Sequence, residues 1–289
     1  MKTTIKLFII AFICYSTSVL ANDIKVSNTS YNKKNKTVSF QLSWKNSWKN
    51  SKNQDAAWVF IKFIDSKGNY IHGTLRNKSH KVKGNQHAAI KVPKDRVGAF
   101  VKLADEYRGN VNWNVKLALD RKTVKQLTDD YKIHVFAIEM VYIPKGSFYI
   151  GATENKAVSY ASFYESDANG NPAKPFLINS ENQQINVSPT QGDLFYKIGK
   201  SPYRGDAKGI VPASFPKGHD AFYMMKYETT QGLYADFLNA VSPKFAERLT
   251  PHKVKDYYKK KGGIRFEDNT YTADSYNRPA NFITWDDGA

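Results

Sequence analysis

The chain has 289 residues, with 43 Lys and Arg against 26 Asp and Glu, a formal charge of +17, and one cysteine. A single thiol excludes an internal disulfide and any two-thiol site, and a chain this long can bury enough apolar surface to fold without such staples. Its lysines are scattered beside Asn, Ser and Gly rather than gathered into a basic arm or a groove-reading helix; this favours a solvated basic surface, leaves a polyanion patch as the second reading, and argues against a nucleic-acid partner.

Lys2 and Lys6 precede an apolar stretch at residues 7–15, which gives way to Ser16, Thr17 and Ser18 and ends in Val19, Leu20 and Ala21. That is the three-part layout of a secretory signal cleaved after Ala21, and it predicts export to the periplasm or the exterior. The apolar run is shorter than the ~20 residues that span a bilayer, so a chain that does not span the membrane is expected after cleavage. Cys14 lies deep in this stretch behind the bulky Ile13, which speaks against lipid attachment.

From 22 to 135 the pattern predicts an all-β sandwich. Val38, Phe40, Leu42 and Trp44 alternate with polar residues, as do Val111, Trp113, Val115, Leu117 and Leu119. This is the signature of strands with one buried and one wet face. Residues 56–64 (AAWVFIKFI) are apolar almost throughout and read as a strand buried on both sides. The turn at 65–69 sends the chain back along 70–75, further strands are expected at 88–92, 98–103 and 132–138, and no helix is evident. Trp44, Trp58 and Trp113 fall in phase with the apolar positions and are assigned to the core, whereas Trp48 sits in a polar loop that leaves exposure open. His72, His80 and His87 have no metal-ligand spacing and no carboxylate partner in register.

From 136 to 289 glycine and proline increase and helices enter. Residues 139–151 (EMVYIPKGSFYIG) read as a tight hairpin. Tyr223, Met225 and Tyr227 form a short strand, and Thr229 or Thr230 caps a helix with Leu233, Phe237, Leu238 and Val241 as its apolar stripe, stopped by Pro243. Thr250 and Pro251 open a second helix with Val254, Tyr257 and Tyr258 inward, closed by Gly262 and Gly263. Ile283 and Trp285 read as a buried strand, and Asp287 is placed to cap a following helix. Asp167, Asn169 and Gly170 make a polar turn without the closing glutamate of a calcium loop. Glu228 and Asp236 suit a cap and a solvated face better than a catalytic pair, and His219 and His252 lack companions.

Three ordered blocks in this region resemble the formylglycine-generating enzyme, or sulfatase-modifying factor, family. Met140, Pro144, Gly146, Phe148 and Gly151 match its opening block; Phe222, Lys226, Tyr227, Glu228, Thr230, Tyr234 and Phe237 its middle block; Pro279, Ile283, Trp285, Asp287 and Ala289 its third. The resemblance implies a partial α+β domain with the C-type-lectin-like fold over 136–289. In catalytic members a cysteine pair near the C-terminal end binds copper and oxidises a substrate cysteine to formylglycine; related members use iron-binding histidines. Here no cysteine follows Cys14, and the sequence stops where the family's next helix begins, so a fragment lacking the catalytic half is expected. Accordingly no catalytic, cofactor-binding or metal residue is assigned, and copper or calcium would belong to the missing half. The expected function is an exported, non-catalytic binding or surface protein with a protein or glycan partner. The alternative is a full-length copper or related metal-dependent oxidase acting on a cysteine or thiol.

Overall fold

The computed structural model describes residues 23–65, 70–127, 131–151, 162–196 and 208–288, so the stretch expected to be an export signal and most of the 65–69 turn lie outside the described residues. The chain divides into two compact units, Ile24–Lys226 and a second that contains Tyr227–Ala289.

The first unit begins with β1 (Lys25–Asn32), β2 (Thr37–Lys49), β3 (Asp55–Asp65), β4 (Tyr70–His72), β5 (Lys81–Gly84), β6 (Ala88–Lys91), β7 (Ala99–Leu103), β8 (Tyr107–Ala118) and β9 (Tyr131–Ile143). One sheet has the order β1-β2-β8-β5. The other places the strand Phe222–Met225 beside β9, then β3, β7 and β6, with β4 paired to β3. All these pairings are antiparallel. Phe40, Leu42, Trp113 and Val115 from the first sheet and Val59, Ile61, Val101 and Leu103 from the second share one core, which makes the unit the β-sandwich that the alternation predicts. Each such buried side chain contributes about 1.5–3 kcal/mol.

Local sequence and tertiary demand part company in four places. β3 is fully buried on one face only; Trp58, Phe60 and Lys62, which alternate with the core residues, are half-buried on the other. Trp58 is therefore not a core residue. A short helix, α1 (Arg121–Gln126), interrupts the expected run of strands because Asp120 accepts the Thr123 N–H at 2.8 Å while Thr123 is itself buried. The hairpin expected at 139–151 does not form. Instead β9 continues to Ile143, held on one side by β3 and on the other by Phe222–Met225, and long-range pairing wins over the Pro-Lys-Gly turn. The boundary expected between 135 and 136 consequently falls inside a strand. β1 and β5 escape the period-2 rule because both are largely exposed.

Between β9 and the last sandwich strand the chain forms short strands: β10 (Phe148–Ile150), β11 (Phe163–Ser166), β12 (Pro172–Lys174), β13 (Phe176–Ile178), β14 (Ile185–Val187), β15 (Leu194–Tyr196), β16 (Gly209–Val211) and then β17 (Phe222–Met225). β10 pairs with β13, and β12-β11-β15-β14-β16 make a small sheet over Phe176, Ile178, Ile185 and Leu194. Asp167 forms the polar turn expected there, accepting the N–H groups of Asn169 and Asn171 at 2.8 Å each, with Gly170 at a positive φ of 76°.

Glu181 ties this region together. Its carboxylate accepts the backbone N–H groups of Lys217, His219 and Asp220 at 2.7, 2.8 and 2.8 Å. These donors, Asp220 foremost, hold it below the usual glutamate range. A lowered value means a contribution present above the ordinary pKa of 4.5 and lost as pH falls through the folded one. In Glu181→Ala, hydrogen-exchange protection of those three amides is expected to collapse at neutral pH while the core strands keep theirs; unchanged protection would refute the tie.

The second unit contains α2 (Gln231–Asn239), α3 (Pro243–Leu249), a single turn at Pro251–Lys253, the hairpin β18 (Ile264–Glu267) and β19 (Thr270–Ala273), and α4 (Trp285–Gly288). Thr230 caps α2 through the Leu233 N–H. The buried face of α2 is Gln231, Tyr234, Ala235 and Leu238, whereas Phe237 is exposed, so the expected stripe is rotated. Tyr234 decides this: its hydroxyl donates to the Leu249 carbonyl at 2.9 Å, and burial pushes its pKa up to about 12. Pro243 opens α3 at its first position rather than merely ending α2. Only Tyr257 of the expected Val254, Tyr257 and Tyr258 trio is buried, and a turn replaces the second helix. Residues 281–284 form no strand. Thr284 caps α4, and Asp287 reaches back to accept the Thr284 N–H at 2.7 Å, a reciprocal capping pair; the side chain of Trp285 lies outside the described residues.

Candidate functional site: an aromatic sheet face

The two outward faces of the sandwich differ in chemistry. On the β1-β2-β8-β5 sheet the outward positions are Ser39, Gln41 and Ser43 on β2, opposite Lys116, Asn114 and Asn112 on β8. This is the ordinary wet face of an antiparallel sheet. On the other sheet the outward positions hold Trp58, Phe60, Phe100, Phe136, Tyr142 and Tyr223. Six large rings on a solvent-side face need a reason that core packing does not supply.

The rings form two groups. In one, Trp58 lies 4.7 Å from Phe100, Phe100 stacks on Tyr223 at 4.1 Å and 20°, and Tyr223 lies 5.3 Å from Tyr142. β7 and β17 are three strand spacings apart, ~14 Å between backbones, so Phe100 and Tyr223 meet only by lying over the sheet. The small Ala56 beneath, 0% exposed, makes room for them. Gln54 donates to the Tyr223 hydroxyl at 3.0 Å and fixes its tip. Trp58 is seated on Gly98: a Cβ there would come within 2.5 Å of the indole, so only glycine leaves room for the ring at this place. In the second group, Phe60 stacks on Phe136 at 4.9 Å and 10°, flanked by His72 at 6.2 Å from Phe60 and His134 at 6.4 Å from Phe136.

Cations share this face. Lys62 pairs across strands with both His72 and His134, Lys102 stands two residues from Phe100, Lys91 is opposite Phe100, and Lys132 is opposite Ile64. Burial lowers the pKa of Lys62 and Lys102, the latter further depressed by Lys91 and Lys49. Burial likewise lowers His72 below its ordinary 6.5, despite its contact with the Val97 carbonyl, so it is neutral at pH 7. The outward positions of β3, β4, β6, β7, β9 and β17 carry no Asp or Glu. Flat rings bordered by ammonium groups can stack against an apolar ring face while pairing with anionic substituents.

Beneath the aromatic face, the interior holds a charged group of its own. A bulge at Asn46 (φ 55°) turns both Trp44 and Ser47 inward, and Asp55, 0% exposed, accepts the Trp44 indole N–H at 3.0 Å, the Ser47 hydroxyl at 2.8 Å and the Trp48 N–H at 3.1 Å. Two residues from Asp55 in register, Glu139 pairs with Lys226 at 2.7 Å, their side chains 2% and 19% exposed. Burial outweighs the donors and raises the Asp55 pKa. A raised carboxyl binds its proton more readily in the folded chain, so this group favours the fold in acid and loses that contribution as pH rises from 3.8 through the folded value. Wild-type stability relative to Asp55→Asn, read from urea midpoints, is expected to grow between pH 7 and pH 4; a relative gain toward pH 7 would contradict it.

The histidines noted in sequence are dispersed. His72 lies on the aromatic face, His80 accepts the Ala118 N–H and meets the Arg76 carbonyl, and His87 pairs with Asp105 at 3.0 Å on the surface, a carboxylate partner that sequence spacing did not indicate. His219 donates its backbone N–H to Glu181, and His252 contacts the Thr250 hydroxyl. Among the described residues, no three His, Cys, Asp or Glu converge as a metal site, and no helix is long and apolar enough to cross a membrane. The sequence signal that could have found the aromatic face was present in residues 56–64: aromatic and lysine residues fill the positions between the core residues. Comparison with family models, curated proteins and solved structures found no match.

Proposed function

We propose that this chain is an exported binding protein of the sulfatase-modifying-factor type, acting without oxidase chemistry, and that the aromatic face of its sandwich holds its partner. One observation carries this reading: six rings stand among four lysines on one outward sheet face, whereas Ser39, Gln41, Ser43, Asn112, Asn114 and Lys116 fill the outward positions at the centre of the other. The three sequence blocks around Met140, Lys226 and Trp285 support the family assignment and, with it, a C-type-lectin-like fold for the distal region. With Cys14 as the one cysteine, a two-thiolate copper centre has no ligands in this sequence. The test uses the purified chain on immobilised glycans and on surface extracts from the source cell. Trp58→Ala and Tyr223→Ala should abolish the retained interaction without changing far-UV circular dichroism. Retention by both variants would overturn the assignment of the face.

The second reading, a copper or related metal-dependent oxidase acting on a cysteine or thiol, rests on the same sequence blocks. Calorimetric titration with copper is expected to show no stoichiometric uptake; uptake with turnover of a cysteine peptide to formylglycine would establish the oxidase instead.

A further inference from the structure

Resting on the binding reading above, we infer that the occupant of the aromatic face is an acidic polysaccharide, its sugar rings lying on Trp58, Phe100 and Tyr223 and its carboxylate or sulfate groups meeting Lys62 and Lys102.

Three observations select this occupant. The first is aromatic surface. Trp58, Phe100 and Tyr223 form one half-buried group over the sheet, Phe100 stacked on Tyr223 and tilted against Trp58, seated by Gly98, Ala56 and the Gln54 hydrogen bond, so the outer ring faces of the group are what a ligand meets. Pyranose rings present axial C–H groups that pack on such faces, whereas a protein partner seeks protruding anchors and pockets. The second is charge. The outward strand positions contribute Lys62, Lys91, Lys102 and Lys132, and no Asp or Glu occupies an outward position of these strands. Asp95, beside His72, is the acidic neighbour that faces this group from the loops. The third is length. From β6 to β17 the sheet is five strands wide, about 19 Å at ~4.8 Å per strand, enough for several consecutive sugars but far more than a single small ligand needs. Lys62 and Lys102 are already partly stripped of water, so pairing them with anions forfeits less hydration than pairing fully solvated lysines.

The experiment compares dextran sulfate with neutral dextran by affinity electrophoresis and calorimetry on the full chain, in rising salt. Dextran sulfate is expected to bind with an affinity that falls with salt, and dextran to bind much more weakly. Trp58→Ala should weaken the acidic chain about tenfold, and Lys62→Ala with Lys102→Ala a further ~tenfold. A charge-matched double variant on the other sheet, Lys83→Ala with Lys116→Ala, should leave binding unchanged. If that control loses as much affinity as Lys62→Ala with Lys102→Ala, bulk charge explains binding and the inference fails. Equal binding of dextran and dextran sulfate, sensitive to Trp58→Ala, removes the acidic preference but leaves the binding face standing. No binding of either polysaccharide, with a protein from the surface extract still retained through Trp58, sinks the polysaccharide and keeps the face.

Discussion

Replacing Lys226 with Met is expected to destabilise the sandwich by about 3–5 kcal/mol, because it leaves the Glu139 carboxylate buried without the ammonium now 2.7 Å away. Lys226 follows β17, and its N–H donates to the Glu139 carbonyl at 2.9 Å, so backbone and side chain clasp the same residue of β9. Asp55, a second buried carboxylate two residues off in register, feels the same ammonium. Removing one cation therefore unbalances two acids. The double variant Lys226→Met with Glu139→Leu should recover most of the loss, since a buried pair can be exchanged for apolar volume at little net cost. Urea denaturation followed by tryptophan fluorescence measures both. A single variant within about 1 kcal/mol of wild type would show that water already solvates the pair.

Trp113→Ala is the other large effect, about 3–5 kcal/mol, from lost packing and the cavity left behind. Trp113 is 0% exposed, meets Trp44 edge-on at 5.2 Å, and donates its indole N–H to the Gln86 carbonyl at 2.9 Å. Gly84 presses against it so closely that a Cβ would come within 2.5 Å of the ring. Trp58→Ala, on the outer face, should cost at most about 1 kcal/mol, since that ring is already half out of the core. The informative result is the crossing of two scales: Trp113→Ala should unfold readily yet bind its partner normally while folded, and Trp58→Ala should fold normally yet bind poorly. If Trp58→Ala proves as destabilising as Trp113→Ala, the outer rings are a second core and the binding face is lost.

Period-2 alternation identified the core strands correctly wherever one sheet face is wet, as at Val38 to Trp44 and Val111 to Leu119. It failed at residues 56–64, where aromatic residues on the outer face mimic a strand buried twice over. Hydropathy cannot separate a ring turned to the core from one turned to a ligand. Trp58 and Trp113 look alike in sequence, and only the register with Phe100 and Ile138 puts Trp58 outside. The 139–151 hairpin failed for a different reason: its turn chemistry is sound locally, but β3 holds one edge of β9 and β17 takes the other, from Phe222↔Ile143 to Met225↔Met140, so no edge is left for the returning strand of a hairpin.

By itself, then, the sequence determined the class of the first region, its core residues apart from Trp58, a helix cap at Thr229 or Thr230 and the Asp167 turn, because each follows from neighbours within a few positions. Which face of β3 meets solvent, the burial of Asp55, Glu139 and Lys226 beside one another, and the meeting of Phe100 with Tyr223 were decided only by tertiary structure. Those features join residues that lie tens to more than a hundred positions apart, and strand pairing brings them together where no local periodicity can register them.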